Sequence, residues 1–300
     1  MKKTYITIFT CLLALPLFAQ SAGNSGLSFL KFGFGARNIA MGDAGSAAAT
    51  DVTSLYYNPA SLSLNDNTEL VFMHNEWIQD VRSEVGGAKF QLFGLPMAAG
   101  FNVTTVADIE VRSKAGDLES KFNANFFFGS LSTGFHLNDD LAFGATIKYL
   151  YEGYLADEAT GIGFDFGLHY TAPVEGLTTS AVIKNIGSMN KLRNEETVLP
   201  TEFRLGALYD LGLNSSMFDV NVAAELDKYT KTDDTHFNLG AEGIYNKTFA
   251  LRAGYQTGWE TRGFTAGVGI MWGHLNFDYA FLPFNSGLGS SNLFSLQFRF

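Results

Sequence analysis

The sequence predicts an all-β fold: a transmembrane antiparallel β-barrel of the outer-membrane type, with about 14 strands and an N-terminal segment plugging its lumen. Three observations carry this. Period-two alternation recurs from about residue 69 to the end, with turn signals between the segments. Hydrophobic residues make up 46% of the 300-residue chain, including 28 Phe, while charged residues make up only 17%. Mean hydropathy is nonetheless a near-neutral +0.06, so the apolar residues are interleaved with polar ones. Beyond the N-terminus no run of about 18 apolar residues occurs, which excludes a helical membrane protein. The aromatic content excludes disorder, and a single Cys excludes a disulfide scaffold. With 30 acidic against 20 basic residues and no basic cluster, nucleic acid is excluded as a partner.

Residues 1–19 read as a signal peptide. Met1-Lys2-Lys3 forms a basic start, Tyr5 to Phe18 a short apolar stretch, and cleavage is expected after Ala19 or Ala22. Cys11 sits inside the apolar stretch and reads as filler. Residues 20–64 form the next segment, and from 24 to 64 they do not alternate. They are rich in Gly and Ala, which let backbone pass closely, and they are expected inside the barrel as a hatch-like plug.

Residues 65–300 are expected to form the wall. In Leu141–Glu152, Leu141, Phe143, Ala145, Ile147, Tyr149 and Tyr151 share one face, and Gly144, Thr146, Lys148 and Glu152 lie on the other. Ile162–Tyr170, Phe218–Asp227 and Phe237–Tyr245 alternate in the same way. Further segments fall near 69–76, 87–94, 97–105, 126–137, 177–186, 202–211, 249–256, 263–272, 275–282 and 292–300. Most run about eight to eleven residues, close to the length that crosses a bilayer at a tilt of ~45°. Their polar face is Gly, Asn, Asp, Ser and Thr rather than the Lys, Thr and Glu of a solvated sandwich. Aromatics such as Tyr149, Tyr151, Tyr154, Trp272 and Tyr279 cluster near segment ends, like interfacial girdles. Short connections at 138–140, 246–248 and 273–274, with longer polar ones near 106–125, 153–161, 187–200 and 227–236, suggest turns at one end and loops at the other. In the last segment Phe294, Leu296, Phe298 and Phe300 share a face and the chain stops on Phe300, a pattern resembling the signal read by the barrel-insertion machinery.

Within residues 24–64, Gly35-Ala36-Arg37, then Met41-Gly42-Asp43-Ala44, then Asp51, then Tyr57-Asn58-Pro59-Ala60-Ser61-Leu62 resemble the N-terminal signature of the PorV/PorQ family. That family is distantly related to the FadL-type long-chain fatty-acid transporters. Asp43 and Ser61 stand where FadL-like members usually carry Gly, which leans toward PorV/PorQ. Lys184-Asn185-Ile186-Gly187, Gly240-Ala241-Glu242, Leu251-Arg252-Ala253-Gly254-Tyr255 and Phe277-Asp278-Tyr279-Ala280-Phe281 resemble later strands of the family, although the chain is shorter than typical PorV members. The resemblance implies a Gram-negative outer-membrane barrel of about 14 strands with its N-terminus in the lumen. It implies a protein-binding accessory or shuttle of a type IX-like secretion pathway, with cargo domains and secretion components as partners beside outer-membrane lipid. The alternative is a FadL-like channel for hydrophobic small molecules, which FadL-like members release laterally.

Arg37, Asp43 and Asp51 are charges in an otherwise apolar, small-residue segment, so each needs a partner if buried. The lumen-facing parity offers Glu152, Asp165, Glu225, Glu242 and Arg252, and Arg37 is expected to pair with luminal carboxylates and hold the plug. Asn58-Pro59 is expected to make a turn ahead of Ala60. No catalytic set, cofactor site or metal site is expected. The five His residues lack metal-ligand spacing, and His169 and Asp165, four apart on one strand, are ~13 Å apart.

Overall fold

Period-two segments bury one face only, so a sheet built from them must either cover that face or close on itself. The computed structural model, which describes residues 25–155, 157–212 and 217–300, shows closure. The expected leader, with Cys11 and both cleavage points, lies outside the described residues. The strands are β1 (Glu69–Glu76), β2 (Val81–Leu92), β3 (Leu95–Val111), β4 (Ser120–His136), β5 (Leu141–Tyr154), β6 (Asp157–Thr171) and β7 (Leu177–Met189). After a small hairpin of β8 (Lys191–Leu192) and β9 (Glu195–Glu196) come β10 (Glu202–Asp210), β11 (Phe218–Tyr229), β12 (Thr235–Tyr245), β13 (Phe249–Thr257), β14 (Phe264–Trp272), β15 (Leu275–Pro283) and β16 (Ser290–Arg299). All but β8 and β9 form one closed antiparallel barrel of 14 strands, each wall strand pairing with the next along the chain. Closure runs through β1 and β16, where Glu69 opposes Arg299 and Glu76 opposes Asn292. No described helix is long and apolar enough to cross a membrane.

The wall is inside-out relative to a soluble protein. Along β12, Phe237 and Leu239 are exposed while His236, Asn238, Gly240 and Glu242 are buried. Leu251 is 70% exposed and its neighbour Arg252 only 6%. Such an exterior is stable only against lipid, where a closed barrel also satisfies every backbone group.

Two expectations are corrected. The stretches near 106–125, 153–161 and 227–236 are largely strand: β3 and β4 run to the connection at 112–119, β5 continues to Tyr154 and β6 begins at Asp157, and β11 and β12 run to 230–234. The expected long connection near 187–200 remains one, running from β7 to β10 and carrying β8 and β9, and β3–β6, at 14 to 17 residues, rise as a wall above the other strands. Ladder hydrogen bonds continue above the bilayer while the outward residues become polar, so hydropathy loses the strand there. Tyr154, grouped with the girdle aromatics, instead turns edge-on to Phe126, whose face of β4 looks inward.

Residues 25–64 lie inside the barrel. Ser28–Lys31 makes a 3-10 turn, α1 (Ala36–Ala40) and α2 (Ser54–Tyr57) are single helical turns, and Pro59–Leu64 is a second 3-10 turn. Inward-facing glycines of the wall receive this backbone. Gly240 and Gly254 face Met41 and Gly42, Gly267 faces Ala40, Gly134 and Gly144 face Pro59 and Ala60, and Gly206 faces Ser46. Gly42 itself has φ +71° and lies against the Leu239 carbonyl, so a side chain there meets both backbone strain and wall.

Candidate functional site

The interior divides into an ionic layer and an apolar compartment. In the ionic layer Arg37, on α1, donates from Nε and Nη2 to the two carboxylate oxygens of Glu242 at 2.9 and 2.7 Å. Arg252 donates to Glu242 at 2.6 Å and to Asp278 at 2.7 Å. Arg37 also reaches the Ala48 carbonyl, tying two turns of the segment together. The result is a chain of two guanidinium and two carboxylate groups linking α1, β12, β13 and β15.

A second cluster surrounds Arg204 of β10. Its guanidinium lies 2.9 Å from Glu225, 3.2 Å from Glu202, and 3.7 Å from both Asp227 and Asp43. Asp43 accepts from the Tyr57 hydroxyl at 2.5 Å, and Glu225 accepts from the Ser46 amide at 2.7 Å. Lys184 pairs with Glu202 at 3.0 Å and sits 3.6 Å above the Tyr56 ring. Asp165 pairs with Lys148 at 2.6 Å, and Glu152 accepts from Thr197.

Asp51 finds donors rather than a cation, taking the Thr53 amide and hydroxyl at 2.8 and 2.5 Å. The nearby Val52 amide donates to Glu69. Asn58 does not take a left-handed turn geometry. It is extended, with φ −158°, and caps the 3-10 turn by accepting from Ala60 N, with Pro59 at the first position. Its amide nitrogen donates to the carbonyls of Ser46 and Leu168, so one side chain joins two parts of the segment to the wall. Phe294, Leu296 and Phe298 point outward from β16, with the Phe300 amide donating to Thr68 just beyond it.

Sequence reasoning did not place Arg204, Lys184, Glu202 or Asp227 among the luminal charges, and named Lys184 only within a strand-end motif. Parity marks all four: Glu202 and Arg204 alternate with Phe203 and Leu205, Lys184 follows outward Ile183, and Asp227 is inward on β11. The Ser61 hydroxyl also meets His169 Nδ1 at 3.0 Å. Both are buried, and no described carboxylate hydrogen-bonds His169, so no hydrolytic triad is assembled. Among the described residues no group of three His, Cys, Asp or Glu is placed to hold a metal.

The apolar compartment lies toward the end of the barrel away from Phe300. Phe29 stacks on Phe126 and Phe128 at 5.5 and 6.1 Å, Phe32 on Trp77 at 4.6 Å, and Phe34 on Tyr56 at 5.7 Å. Leu30, Leu150, Met189, Leu199 and Leu282 join it at this end, and the same cluster continues along the β1–β3 wall through Leu55, Leu62, Val71 and Ala98. Its mouth is capped by stacked side chains. His236 lies 3.8 Å from Trp259, Arg262 covers both Trp259 and Trp77, and Lys31 lies over Tyr229. On the outer wall, a depression of about 300 Å³ opens between Phe72, Phe101, Phe277, Phe294 and Leu296. Its floor includes the inner-face residues Met73 and Val85, and the Met73 sulfur accepts from the Gly35 amide at 3.2 Å. The wall is thin here because Gly86, opposite Phe72, has no side chain.

No protein-family model matches the chain, and no curated protein matches it in sequence. Solved barrels match it in structure. The toluene transporter TodX of Pseudomonas putida aligns with a TM-score of 0.63 at 15% identity, covering 89% of this chain and 97% of that one. A FadL homologue of Pseudomonas aeruginosa aligns with a TM-score of 0.51 at 12% identity, covering 87% and 96%. At this identity the likeness is one of fold. The fold is that of a Gram-negative outer-membrane β-barrel with a lipid-facing exterior.

Proposed function

We propose that the protein is an outer-membrane channel for hydrophobic small molecules, with an apolar luminal compartment bounded below by an ionic layer. That division carries the reading. Leu27, Phe29, Leu30 and Phe34 pack against the aromatic wall there, so a solute arriving from outside enters by parting apolar side chains rather than by desolvating charges. The charged layer beneath blocks a straight path, because its buried ion pairs have no room for a solute that cannot bond to them. The outer-wall depression beside Met73 supplies a sideways exit toward lipid, since only the β1–β2 wall separates it from Gly35. Residues 25–64 act as the hatch, held by Arg37, Asp43, Asn58 and Pro59. The fold shared with a toluene transporter and a FadL homologue supports this reading.

The test is uptake of radiolabelled toluene and of a long-chain fatty acid by cells lacking their own FadL-like channels. Expression should raise the uptake of at least one, and Asn58→Ala, which loosens the hatch without touching the compartment, should change it. Uptake equal to that of cells carrying an empty vector sinks the reading.

A second reading rests on the raised rim. Leu118, Leu155 and Val198 are exposed on its loops, where a protein partner could cover them. It makes the barrel a PorV/PorQ-type accessory or shuttle that holds secreted cargo domains. Pull-down of the tagged, folded barrel without any secretion component or cargo domain would count against it.

A further inference from the structure

The raised wall carries a depression that the channel reading does not use and that shares only Leu155 with the second reading. It has a volume of about 140 Å³ and is lined on the outward face of β4, β5 and β6 by Asn123, Asn125, Tyr151, Gly153 and Glu158, with Tyr154, Leu155 and Asp157 bordering it at the rim. Register explains why it exists. Asn125, Gly153 and Glu158 stand directly across from one another on three neighbouring strands. The central residue has no side chain, so the floor is bare backbone. Tyr151, two residues along β5, walls it on the membrane side, and a Cβ at Gly153 would meet the Tyr151 hydroxyl.

The polar groups around this floor are oriented before any ligand arrives. Asn123 Oδ1 accepts from the Asp108 amide at 3.1 Å, and Asn125 Oδ1 accepts from the Thr105 hydroxyl at 3.1 Å. Each amide oxygen is thereby occupied on the side of β3, and each amide nitrogen is left to donate. Tyr151 donates to one oxygen of Glu158 at 3.3 Å, which leaves the other carboxylate oxygen to accept. Asp157 is held by Arg193. Donors and acceptors thus alternate around a shallow floor beside an aromatic ring. A cation is disfavoured, because the amides offer it N–H groups rather than oxygens. An apolar solute is disfavoured, because the groups at the floor would lose water without replacement. A hydroxyl, which donates to the carboxylate while accepting from an amide, satisfies both kinds of group, and a ring's C–H face can lie on the tyrosine.

We infer that this depression binds a saccharide ring through adjacent hydroxyls. Its position directly above Tyr149 and Tyr151, on the face that lower down meets lipid, admits two sources: sugars anchored to the outer leaflet, or a soluble oligosaccharide. The test uses the full barrel in nanodiscs, with calorimetric titration in two arms. One arm takes core oligosaccharide released by mild acid from lipopolysaccharide. The other takes soluble gluco-, galacto- and manno-oligosaccharides. Saturable binding in one arm, weakened at least tenfold by Asn125→Ala and by Gly153→Val, supports the site and identifies the source. Gly153→Val fills the floor, while Asn125→Ala removes a donor and leaves the space open. Both lie outside the lumen, so heat-dependent gel mobility reports retained folding and solute uptake is unchanged, which separates failure here from failure of the channel reading. No saturable binding in either arm by the folded barrel, or equal binding by both variants, overturns the inference.

Discussion

Removing Arg37 tests whether one buried ion pair holds the N-terminal segment in the barrel. In Arg37→Ala, Glu242 keeps Arg252, but that guanidinium then serves Glu242 and Asp278 together, and one buried carboxylate is uncompensated. Two unit charges about 3 Å apart at an effective dielectric of about 20 interact by roughly 5 kcal/mol. Breaking a buried pair costs about 3–5 kcal/mol. The Arg37 side chain is 24% exposed, so water recovers part of this. The expected loss is about 2–3 kcal/mol of docking free energy, or roughly 30- to 150-fold in the undocked population. The assay is hydrogen exchange of the amides of Ala36–Gly42 in the folded, micelle-bound barrel, where faster exchange reports undocking. The double variant Arg37→Met with Glu242→Met removes both charges and leaves Arg252 and Asp278 as a neutral pair, so it should restore most of the protection. Unchanged exchange in Arg37→Ala, or a double variant as poorly protected as the worse single one, would refute the reasoning.

Two further outcomes follow from how the wall meets its two surroundings. Gly254→Val places a branched side chain against the backbone of Met41 and Gly42, so it should lower the heat-modifiable, folded fraction on refolding, whereas Gly243→Val, with no atoms near its Cβ position, should leave it close to wild type. Leu251→Arg sets a charge on the lipid face and should cost up to about 2–4 kcal/mol, read as a lower urea midpoint in liposome-supported folding; a midpoint equal to that of the native chain would mean Leu251 does not face hydrocarbon.

Much of the barrel was legible because the side-chain period of a strand is two, whatever surrounds it. Phe237, Leu239 and Ala241 against Asn238, Gly240 and Glu242 state the two faces with no tertiary information. The heights of the strands were not legible. In 106–125 and 153–161 the outward residues turn polar, such as Asn123, Asn125 and Glu158, while the ladder continues, and hydropathy reads polarity rather than pairing. Asn58 was read as a turn former from its type. Its cap on Ala60 is local, but its bond to Leu168 depends on where β6 passes, more than a hundred residues away in the chain.

The sequence alone determined that residues beyond 69 form a lipid-facing wall, and which parity of each strand looks inward, because alternation is a local property of neighbouring residues. It also placed Glu152, Asp165, Glu225, Glu242 and Arg252 on the inner parity, where each is buried. Only the tertiary structure decided that Arg37 meets Glu242, that Arg204 gathers Glu202, Glu225, Asp227 and Asp43, and that Gly240 and Gly254 receive Gly42. Those choices depend on the register of every strand around the closed barrel, and closure sums contributions that no single segment contains.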